Sequence, residues 1–257
     1  MNHLLLPKAV VRELDALFSR AHVPLWEPKL GTHYKTLPTV FPTRKSAHGM
    51  VFARLPLMRH GLMHIDTDPD VDAVAGYPVQ TVYWSASASA ETGEVKRVHL
   101  PDLVIRRRDG SVVFIDYVPL SIQAERPWQN RQIAELRAHY RGEYGAGFAV
   151  HDERCVYGEP IWSNVSLMWG YKPTPADVPQ MAAARRAIMR APLPMSITRL
   201  EEEIRRGVAM PEDLYARAAD LAFTAAMQLV IEGLADIDLS KPITPNSIIT
   251  ERKASAP

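Results

Sequence analysis

Strand-like patterns dominate the first part of the chain and helical patterns dominate the last. Apolar residues recur at helical spacing over residues 7–22, and a second helix is predicted to begin near Pro56. The β-branched and aromatic run VQTVYWSAS, residues 79–87, predicts a strand. The proline-rich segment 24–43 predicts an extended covering segment, and DTDPDVDAVAGYP at 66–78 predicts a loop with short extended pieces.

Beyond residue 172 the pattern changes to helices followed by a small β-ribbon. In TRLEEEIRRG, residues 198–207, Thr198 and Glu201 are spaced as a capping box. A longer helix is predicted over 211–232, and the short pieces DIDL and SIIT after it predict strands. This order is typical of a winged-helix-like module. We therefore expect an N-terminal helix with its covering segment at 1–40, a core domain at 41–172 and a helical domain at 173–257.

One stretch, HLPDLVIRRRDGSVVFIDYVP at residues 99–119, predicts a β-hairpin that carries an aspartate on each strand. A three-residue loop of Arg108, Asp109 and Gly110 would join the strands, with Gly110 in the left-handed region. This register places Asp102 opposite Asp116, where two like charges destabilise a strand pair. A divalent cation such as Mg²⁺ would compensate them. Alternatively, Asp102 caps a turn and Asp116 meets a nearby arginine.

Composition narrows the classes of function without selecting one. The 257 residues include 30 basic and 29 acidic side chains, a net charge of +1, so any contact with nucleic acid must use a local basic face. The single cysteine, Cys155, excludes an internal disulfide framework and favours a reducing cytoplasm. No run of about 18 apolar residues indicates a membrane span, and we expect no membrane partner.

Five motifs in order resemble the TnsA family of transposon endonucleases, which belongs to the PD-(D/E)xK restriction-endonuclease-like superfamily. They are FPTRK (41–45), DTDPDV (66–71), YPVQTVYW (77–84), HLPDLVIRRRDG (99–110) and VFIDYVP (113–119). The resemblance covers roughly residues 38–152, and the stretch 215–249 resembles the helical C-terminal domain of the same family more weakly.

The resemblance implies a restriction-endonuclease-like α/β fold, a mixed central sheet flanked by helices. It also implies cutting of transposon 5′ ends beside a partner transposase and an AAA+ regulator. Asp102 matches the catalytic aspartate after proline, and Asp116 matches the second acidic residue; both would be metal ligands. The positions of the family's glutamate and lysine fall on Met58 and Val118. The sequence therefore departs from the family at two of the four catalytic positions.

These departures weaken the expectation of nuclease activity. Phosphodiester hydrolysis in such a site needs carboxylates for the metal and a cation to offset charge on the phosphate. Losing one electrostatic stabiliser commonly costs a factor of about 10² to 10³ in rate. Lys96, Arg126 or Arg131 could supply the cation from a neighbouring element. We expect no metal to be bound, with Mg²⁺ or Mn²⁺ at Asp102 and Asp116 as the alternative.

Two groups of arginines are candidates for DNA contact, each with an ordinary structural alternative. Arg106, Arg107 and Arg108 lie at the predicted hairpin tip, which could equally be a solvated turn. Arg186 and Arg190 lie four residues apart on one helical face, but Glu201 to Glu203 nearby favour a mixed surface. His60 and His64 also have a four-residue spacing, without the glutamate that a metalloprotease motif requires.

The sequence leads to three hypotheses. In the first, a TnsA-like protein of a mobile element has an impaired nuclease fold and acts in DNA binding or in assembly with a transposase or regulator. In the second, the chain is an active Mg²⁺-dependent endonuclease with a relocated basic residue. In the third, it is a protein-interaction module that binds no DNA. A homodimer is among the assemblies considered.

Overall fold

The computed structural model describes residues 8–29, 37–86, 93–125, 129–174, 179–208 and 218–252. The chain forms two compact units, one of residues 1–65 and 70–156 and the other of residues 66–69 and 157–257. Both contain helices and strands, so the chain is a mixed α/β protein. The sequence-based boundary at 172 falls inside the second unit, and the division into domains stays a prediction.

The first unit contains five helices and eight strands among the described residues. The helices are α1 (Lys8–Leu17), α2 (Pro56–Thr67), α3 (Leu120–Ala124), α4 (Gln129–Tyr144) and α5 (Glu153–Val156); the last two residues of α2 belong to the second unit. The strands are β1 (Thr39–Pro42), β2 (Met50–Ala53), β3 (Val71–Gly76), β4 (Thr81–Ala86), β5 (Glu94–His99), β6 (Leu103–Arg107), β7 (Val112–Tyr117) and β8 (Gly147–His151). Helix α1 ends before the residue expected, because residues 18–21 form turns.

A four-stranded sheet in the order β3, β6, β7, β8 forms the centre of this unit. Strand β6 runs antiparallel to both of its neighbours, whereas β7 and β8 are parallel and are connected through α4. A parallel pair needs such a long crossover, because a tight turn can only reverse the chain. Strands β4 and β5 pair separately, as do β1 and β2.

Strand β3, a continuous six-residue strand, corrects the prediction of a loop with only short extended pieces over 66–78. Its residues are buried except Asp72. A strand buried on both faces shows no clean alternation of apolar and polar residues, so the pattern that identifies a half-exposed strand is missing here. Small residues and an adjacent Asp-Pro made this core strand resemble a loop.

Aromatic side chains from α4 and the sheet form the core beside the candidate site. Tyr140 is fully buried and stacks on Phe114 and Phe148, with ring centroids 4.4 and 5.3 Å away. Leu136 lies one helical turn before Tyr140 and joins the same cluster. Burying rings of this size stabilises a core by roughly 2 kcal/mol each, so α4 is held firmly against the sheet.

The second unit contains four helices and three short strands among the described residues. In chain order they are α6 (Ile161–Gly170), α7 (Pro179–Arg190), β9 (Met195–Ser196), α8 (Ile197–Gly207), α9 (Ala218–Glu232), β10 (Ala235–Ile237) and β11 (Ile248–Glu251). The strands form one antiparallel sheet with β11 in the centre. The predicted start of the longest helix at 211–217 lies outside the described residues. Within the described residues, no helix combines the length and apolar character that a membrane span requires.

Helix α8 begins earlier than the capping box predicted. Ser196 is its N-cap, and the Ser196 hydroxyl accepts a hydrogen bond from the Arg199 N–H at 3.3 Å. The Thr198 hydroxyl instead donates to the Pro245 carbonyl at 3.0 Å, a tertiary contact that local spacing does not reveal. The predicted cap at Thr198 was therefore wrong by two residues.

Asn164 on α6 forms three hydrogen bonds with the backbone of the loop between β10 and β11. Its amide donates to the carbonyls of Leu239 and Lys241 at 3.0 and 2.8 Å, and its carbonyl accepts from the Ile243 N–H at 2.9 Å. Asn164 is only 2% exposed, so water does not readily replace these hydrogen bonds if they are lost.

Replacing Asn164 by alanine is expected to lower the free energy of unfolding by about 2 kcal/mol, because three backbone groups lose hydrogen bonds to a buried side chain. Asn164→Asp is expected to lower the free energy of unfolding further, since it places a carboxylate oxygen against two carbonyl oxygens. Denaturant unfolding of both variants measures the difference. An aspartate variant as stable as the alanine variant would show that these carbonyls do not depend on a donor.

Candidate functional site

The paired aspartates of the hairpin face each other, as the sequence register predicted. Leu103 pairs with Ile115, and continuing this register by one residue places Asp102 opposite Asp116. The Arg107 N–H donates to the Ser111 carbonyl at 2.8 Å, which closes the predicted three-residue loop. Gly110 has φ +82°, in the left-handed region that favours glycine.

Arg54 is the cation at this site. Its Nε lies 2.6 Å from Asp102 Oδ1, and its Nη2 donates to Asp102 Oδ2 at 2.9 Å. The Tyr117 N–H also donates to Oδ2, at 2.8 Å. Asp102 is 1% exposed, whereas the Arg54 side chain is 45% exposed. A two-point ion pair therefore reaches a buried carboxylate from the solvent side.

Burial and the ion pair oppose each other in setting the charge of Asp102. Burial, together with the nearby Asp116 carboxylate, raises the pKa of Asp102 to about 6, although Arg54 and the Tyr117 N–H favour the charged form. For Arg54, burial lowers the pKa, but attraction to Asp102 outweighs it and holds the pKa above its ordinary value. Near neutral pH the buried carboxylate is charged, and Arg54 is the group that compensates it.

Asp116 is part of a separate chain of hydrogen bonds. Its Oδ2 lies 2.9 Å from His99 Nε2, and His99 Nδ1 lies 2.9 Å from the Tyr140 hydroxyl. Burial raises the pKa of Tyr140, so its phenol stays protonated and keeps both a donor and an acceptor for Nδ1. The His99 ring therefore bridges the Tyr140 hydroxyl and the Asp116 carboxylate. The Asp102 N–H donates to the other Asp116 oxygen at 3.3 Å.

The two departures from the family pattern are apolar in the structure as well. Met58 is fully buried, and its sulfur accepts a hydrogen bond from the Tyr77 hydroxyl at 3.5 Å. Val118 uses only its backbone, with its N–H donating to the His151 carbonyl at 3.0 Å. Neither side chain offers an oxygen ligand for a hard cation such as Mg²⁺ or a positive charge to offset a phosphate.

Tyr77 adds backbone strain beside the pair. It has φ +46°, which is unusual for a residue with a side chain, and its N–H donates to the Asp102 carbonyl at 3.0 Å. Its ring lies 4.7 Å from that of Trp26. Such strain persists only where the surroundings hold it, and it frequently marks a functional position.

As arranged, the site does not fit a divalent cation. Both oxygens of Asp102 are within 2.9 Å of Arg54, and each Asp116 oxygen already accepts a hydrogen bond. A cation would have to displace Arg54 or His99 before it could bind the carboxylates. Across the described residues, no group of three or more histidine, cysteine, aspartate or glutamate side chains is arranged to hold a metal.

Sequence reasoning missed both Arg54 and His99 as members of the site. It proposed Lys96, which is exposed on β5, Arg131, which is exposed on α4, and Arg126, which lies outside the described residues. Arg54 is 48 residues before Asp102 and lies just ahead of α2. No local motif marks it; a covarying partner for Asp102 is the kind of signal that could have found it.

The hairpin arginines differ in how firmly they are held. Arg106 pairs with Asp72 at 2.9 Å and with Asp15 at 3.2 Å, and it lies over the Phe18 ring. Arg107 and Arg108 are exposed. Arg106 therefore serves packing of the first unit, whereas Arg107 and Arg108 are more exposed to solvent.

The other candidate arginines belong to the second unit. Arg186 and Arg190 are exposed on α7. Arg205 pairs with Glu201 at 2.7 Å, and Arg206 lies 3.1 Å from Glu203. Helix α8 therefore forms the expected surface of mixed charge, in which arginines pair with glutamates. On α7, by contrast, Arg186 and Arg190 are exposed.

Comparisons with protein-family models and with curated proteins gave no match. The resemblance to the TnsA family therefore rests on the five motifs and on the weaker likeness over residues 215–249.

Proposed function

We propose that this chain is a TnsA-like protein of a mobile element, with a nuclease fold whose cutting centre is closed by an internal ion pair. In this proposal it acts in DNA binding or in assembly with a transposase and its AAA+ regulator. The observation that carries it is the contact of Arg54 with both oxygens of the buried Asp102. A guanidinium stands where a catalytic metal would need to bind.

The topology of the first unit supports the nuclease-fold part of this proposal. The unit has a mixed sheet of four strands. In chain order, α2 precedes the first strand of this sheet and α4 connects β7 to β8. Asp102 directly precedes β6 and Asp116 lies on β7, which brings the motif aspartates to one place. The hairpin alone accounts for this meeting, so the support for a nuclease fold comes from the mixed sheet around it.

The second unit supports a winged-helix-like module. Its order of α7, β9, α8, α9, β10 and β11, with the three strands in one antiparallel sheet, combines a helical core with a terminal ribbon. Fold alone does not assign DNA binding to such a module, because function depends on the side chains it presents.

The proposal is tested by incubating the purified protein with supercoiled plasmid and Mg²⁺ or Mn²⁺. No nicking is expected from the native chain, since Arg54 occupies both oxygens of Asp102, His99 and the Asp102 N–H occupy those of Asp116, and the family's lysine and glutamate positions are apolar. Asp102→Ala serves as the matched control for trace contamination. Metal-dependent nicking that disappears in Asp102→Ala would reject the closed-centre proposal.

A second candidate is a working endonuclease in which Arg54 is the relocated cation. The half-exposed guanidinium beside two carboxylates favours it, because an approaching phosphate could compete with Asp102 for Arg54. This candidate requires nicking to depend on both Asp102 and Arg54. An Arg54→Met variant that nicks as well as the native chain would exclude it.

DNA binding is expected to use the exposed hairpin tip. The double variant Arg107→Ala with Arg108→Ala is expected to reduce the slope of log affinity against log salt by about 2, one for each lost phosphate contact. Gel shifts of a duplex across a salt series measure it. Arg137→Ala with Arg141→Ala, two exposed arginines on α4, is the matched control.

Three outcomes of the salt series bear on the hypotheses. Affinity that falls steeply with salt and depends on the hairpin pair supports phosphate contact there. An equal loss in the α4 control would indicate general charge attraction. Absence of binding at low salt would favour the protein-interaction module that binds no DNA.

A further inference from the structure

A groove of about 510 Å³ runs along α7 in the second unit. Met181 and Met189 of α7 line it together with Leu229 of α9 and Leu234, which follows that helix. Arg185 and Arg186 line its polar margin. The groove is formed by a single compact unit, so its shape is set by the packing of α7 on α9.

The floor of the groove is apolar and partly open to solvent. Met189 is 49% exposed and Leu234 is 46% exposed, while Leu229 beneath them is buried. Methionine side chains are flexible and polarisable, and they adapt to apolar groups of different shape. Covering these side chains would remove apolar surface from water, which favours an occupant with its own apolar side chains.

The margin of the groove is cationic. Arg185 is held by an ion pair with Glu232, which fixes its position beside the floor. Arg186 and Arg190 are exposed, and among the described residues neither has a carboxylate partner. Arg186, Met189 and Arg190 follow helical spacing, so the two exposed guanidinium groups flank the exposed methionine on one face.

DNA is a poorer occupant of this face than a peptide. Phosphates would use the arginines but would leave Met189 and Leu234 exposed, since a DNA backbone has no apolar side chains to bury them. Helix α9, which supplies Leu229 to the groove, carries no lysine or arginine over Ala218–Glu232, so among the described residues that line the groove the cations lie on α7 alone.

We propose that this groove binds an acidic, amphipathic segment of a partner protein. Apolar side chains of the segment would cover Met189 and Leu234, and its carboxylates would pair with Arg186 and Arg190. Arginine suits this role because its planar guanidinium binds carboxylates at two points. The proposal concerns the second unit alone and stands whether or not the first unit cuts or binds DNA.

The test uses the full chain and a fluorescein-labelled synthetic peptide of about 18 residues built from glutamate and leucine at helical spacing. A matched peptide has lysine in place of glutamate, and a labelled duplex of about 20 base pairs is the DNA probe. Binding is followed by fluorescence anisotropy. The protein variants are Arg186→Glu with Arg190→Glu, Met189→Ala, and the control Arg137→Glu with Arg141→Glu on α4.

Saturable binding of the acidic peptide with a dissociation constant below about 100 μM is expected, with at least tenfold preference over the lysine peptide. The Arg186 and Arg190 double variant is expected to weaken it at least tenfold and Met189→Ala about fivefold, with no change in the α4 control. Circular dichroism melts of each variant show that folding is retained, as expected for exposed positions.

Other results would overturn the proposal. No saturable binding to the native chain would reject a peptide groove. DNA binding that depends on Arg186 and Arg190 but not on Met189, with weaker peptide binding, would identify a phosphate site instead. Equal losses in the α4 control would indicate nonspecific attraction. Sedimentation showing self-association that Met189→Ala abolishes would identify a second copy of the chain as the occupant.

Discussion

Replacing Gly61 by alanine is expected to lower the free energy of unfolding of the first unit by about 3 kcal/mol, at the upper end of overpacking effects. A Cβ at this position in α2 would lie 2.1 Å from Cε1 of Tyr117 and 2.4 Å from its Cζ. Tyr117 is 1% exposed on β7, and its ring lies edge-on against His151. Because the ring is buried, it cannot move aside into solvent without displacing neighbouring side chains.

The effect reaches the candidate site, because the Tyr117 N–H is a donor to Asp102. Hydrogen exchange of the β7 amides is therefore expected to accelerate in Gly61→Ala, alongside a lower midpoint in denaturant unfolding. Tyr117→Phe does not relieve the contact, since the ring carbon is the nearest atom. A truncating change, Tyr117→Ala, is expected to make the alanine at 61 far less costly, which a double-mutant cycle measures.

Gly142 supplies the matched control for Gly61. It lies inside α4, is exposed, and a Cβ there would meet nothing within 4 Å. Gly142→Ala is expected to stabilise the protein by up to about 1 kcal/mol, because alanine loses less backbone entropy in a helix. If both substitutions had the same sign, helix propensity rather than the contact with Tyr117 would govern α2.

Replacing Arg54 by methionine is expected to destabilise the first unit by about 3 kcal/mol near neutral pH. Removing one partner of a buried ion pair commonly costs about 3 to 5 kcal/mol, and the 45% exposure of the Arg54 side chain places the expectation at the lower end. The charged Asp102 would keep the Tyr117 N–H but lose its cation.

The loss is expected to depend on pH in a defined direction. Asp102 has a folded pKa of about 6, above the ordinary value of 3.8, so the native state binds a proton more tightly than the unfolded chain. The contribution of this group to stability is therefore full at acid pH and falls as pH rises through 6. Without Arg54 its pKa rises further, which enlarges the penalty at neutral pH.

The stability difference between Arg54→Met and the native chain should accordingly shrink from about 3 kcal/mol near pH 7.5 to about 1 kcal/mol near pH 5, where Asp102 is protonated in both proteins. Denaturant unfolding at the two pH values measures it. Arg137→Met, a change at an exposed arginine of α4, should have little effect at either pH. A constant deficit would mean that Arg54 acts through packing rather than through the charge of Asp102.

The hairpin shows which structural features the local sequence pattern can determine. An Arg-Asp-Gly turn between two β-branched runs determines the strand register, and the register determines that Asp102 and Asp116 face each other. These consequences need only neighbouring residues. The same reasoning offered two ways to compensate the carboxylates, a metal or nearby arginines, and it could not choose between them because the compensating group comes from elsewhere.

Other positions were decided by partners far along the chain. Strand β3 looked like a loop because both of its faces are buried, and Ser196 replaced Thr198 as a cap because Thr198 bonds to Pro245. Gly61 gave no signal that its missing side chain is required by a tyrosine on another element. Each case depends on a contact that local propensity does not contain.

The sequence by itself determined the hairpin, its register, the apolar residues at Met58 and Val118, and the predominance of helices beyond residue 172. Only the tertiary structure decided that Arg54 compensates Asp102, that His99 links Asp116 to Tyr140, and that Arg106 pairs with Asp72 and Asp15 while Arg186 and Arg190 are exposed. Hydrophobic periodicity and turn chemistry act over a few residues. Charge compensation in a buried site acts through space, and it joins residues that only the completed fold brings within hydrogen-bond distance.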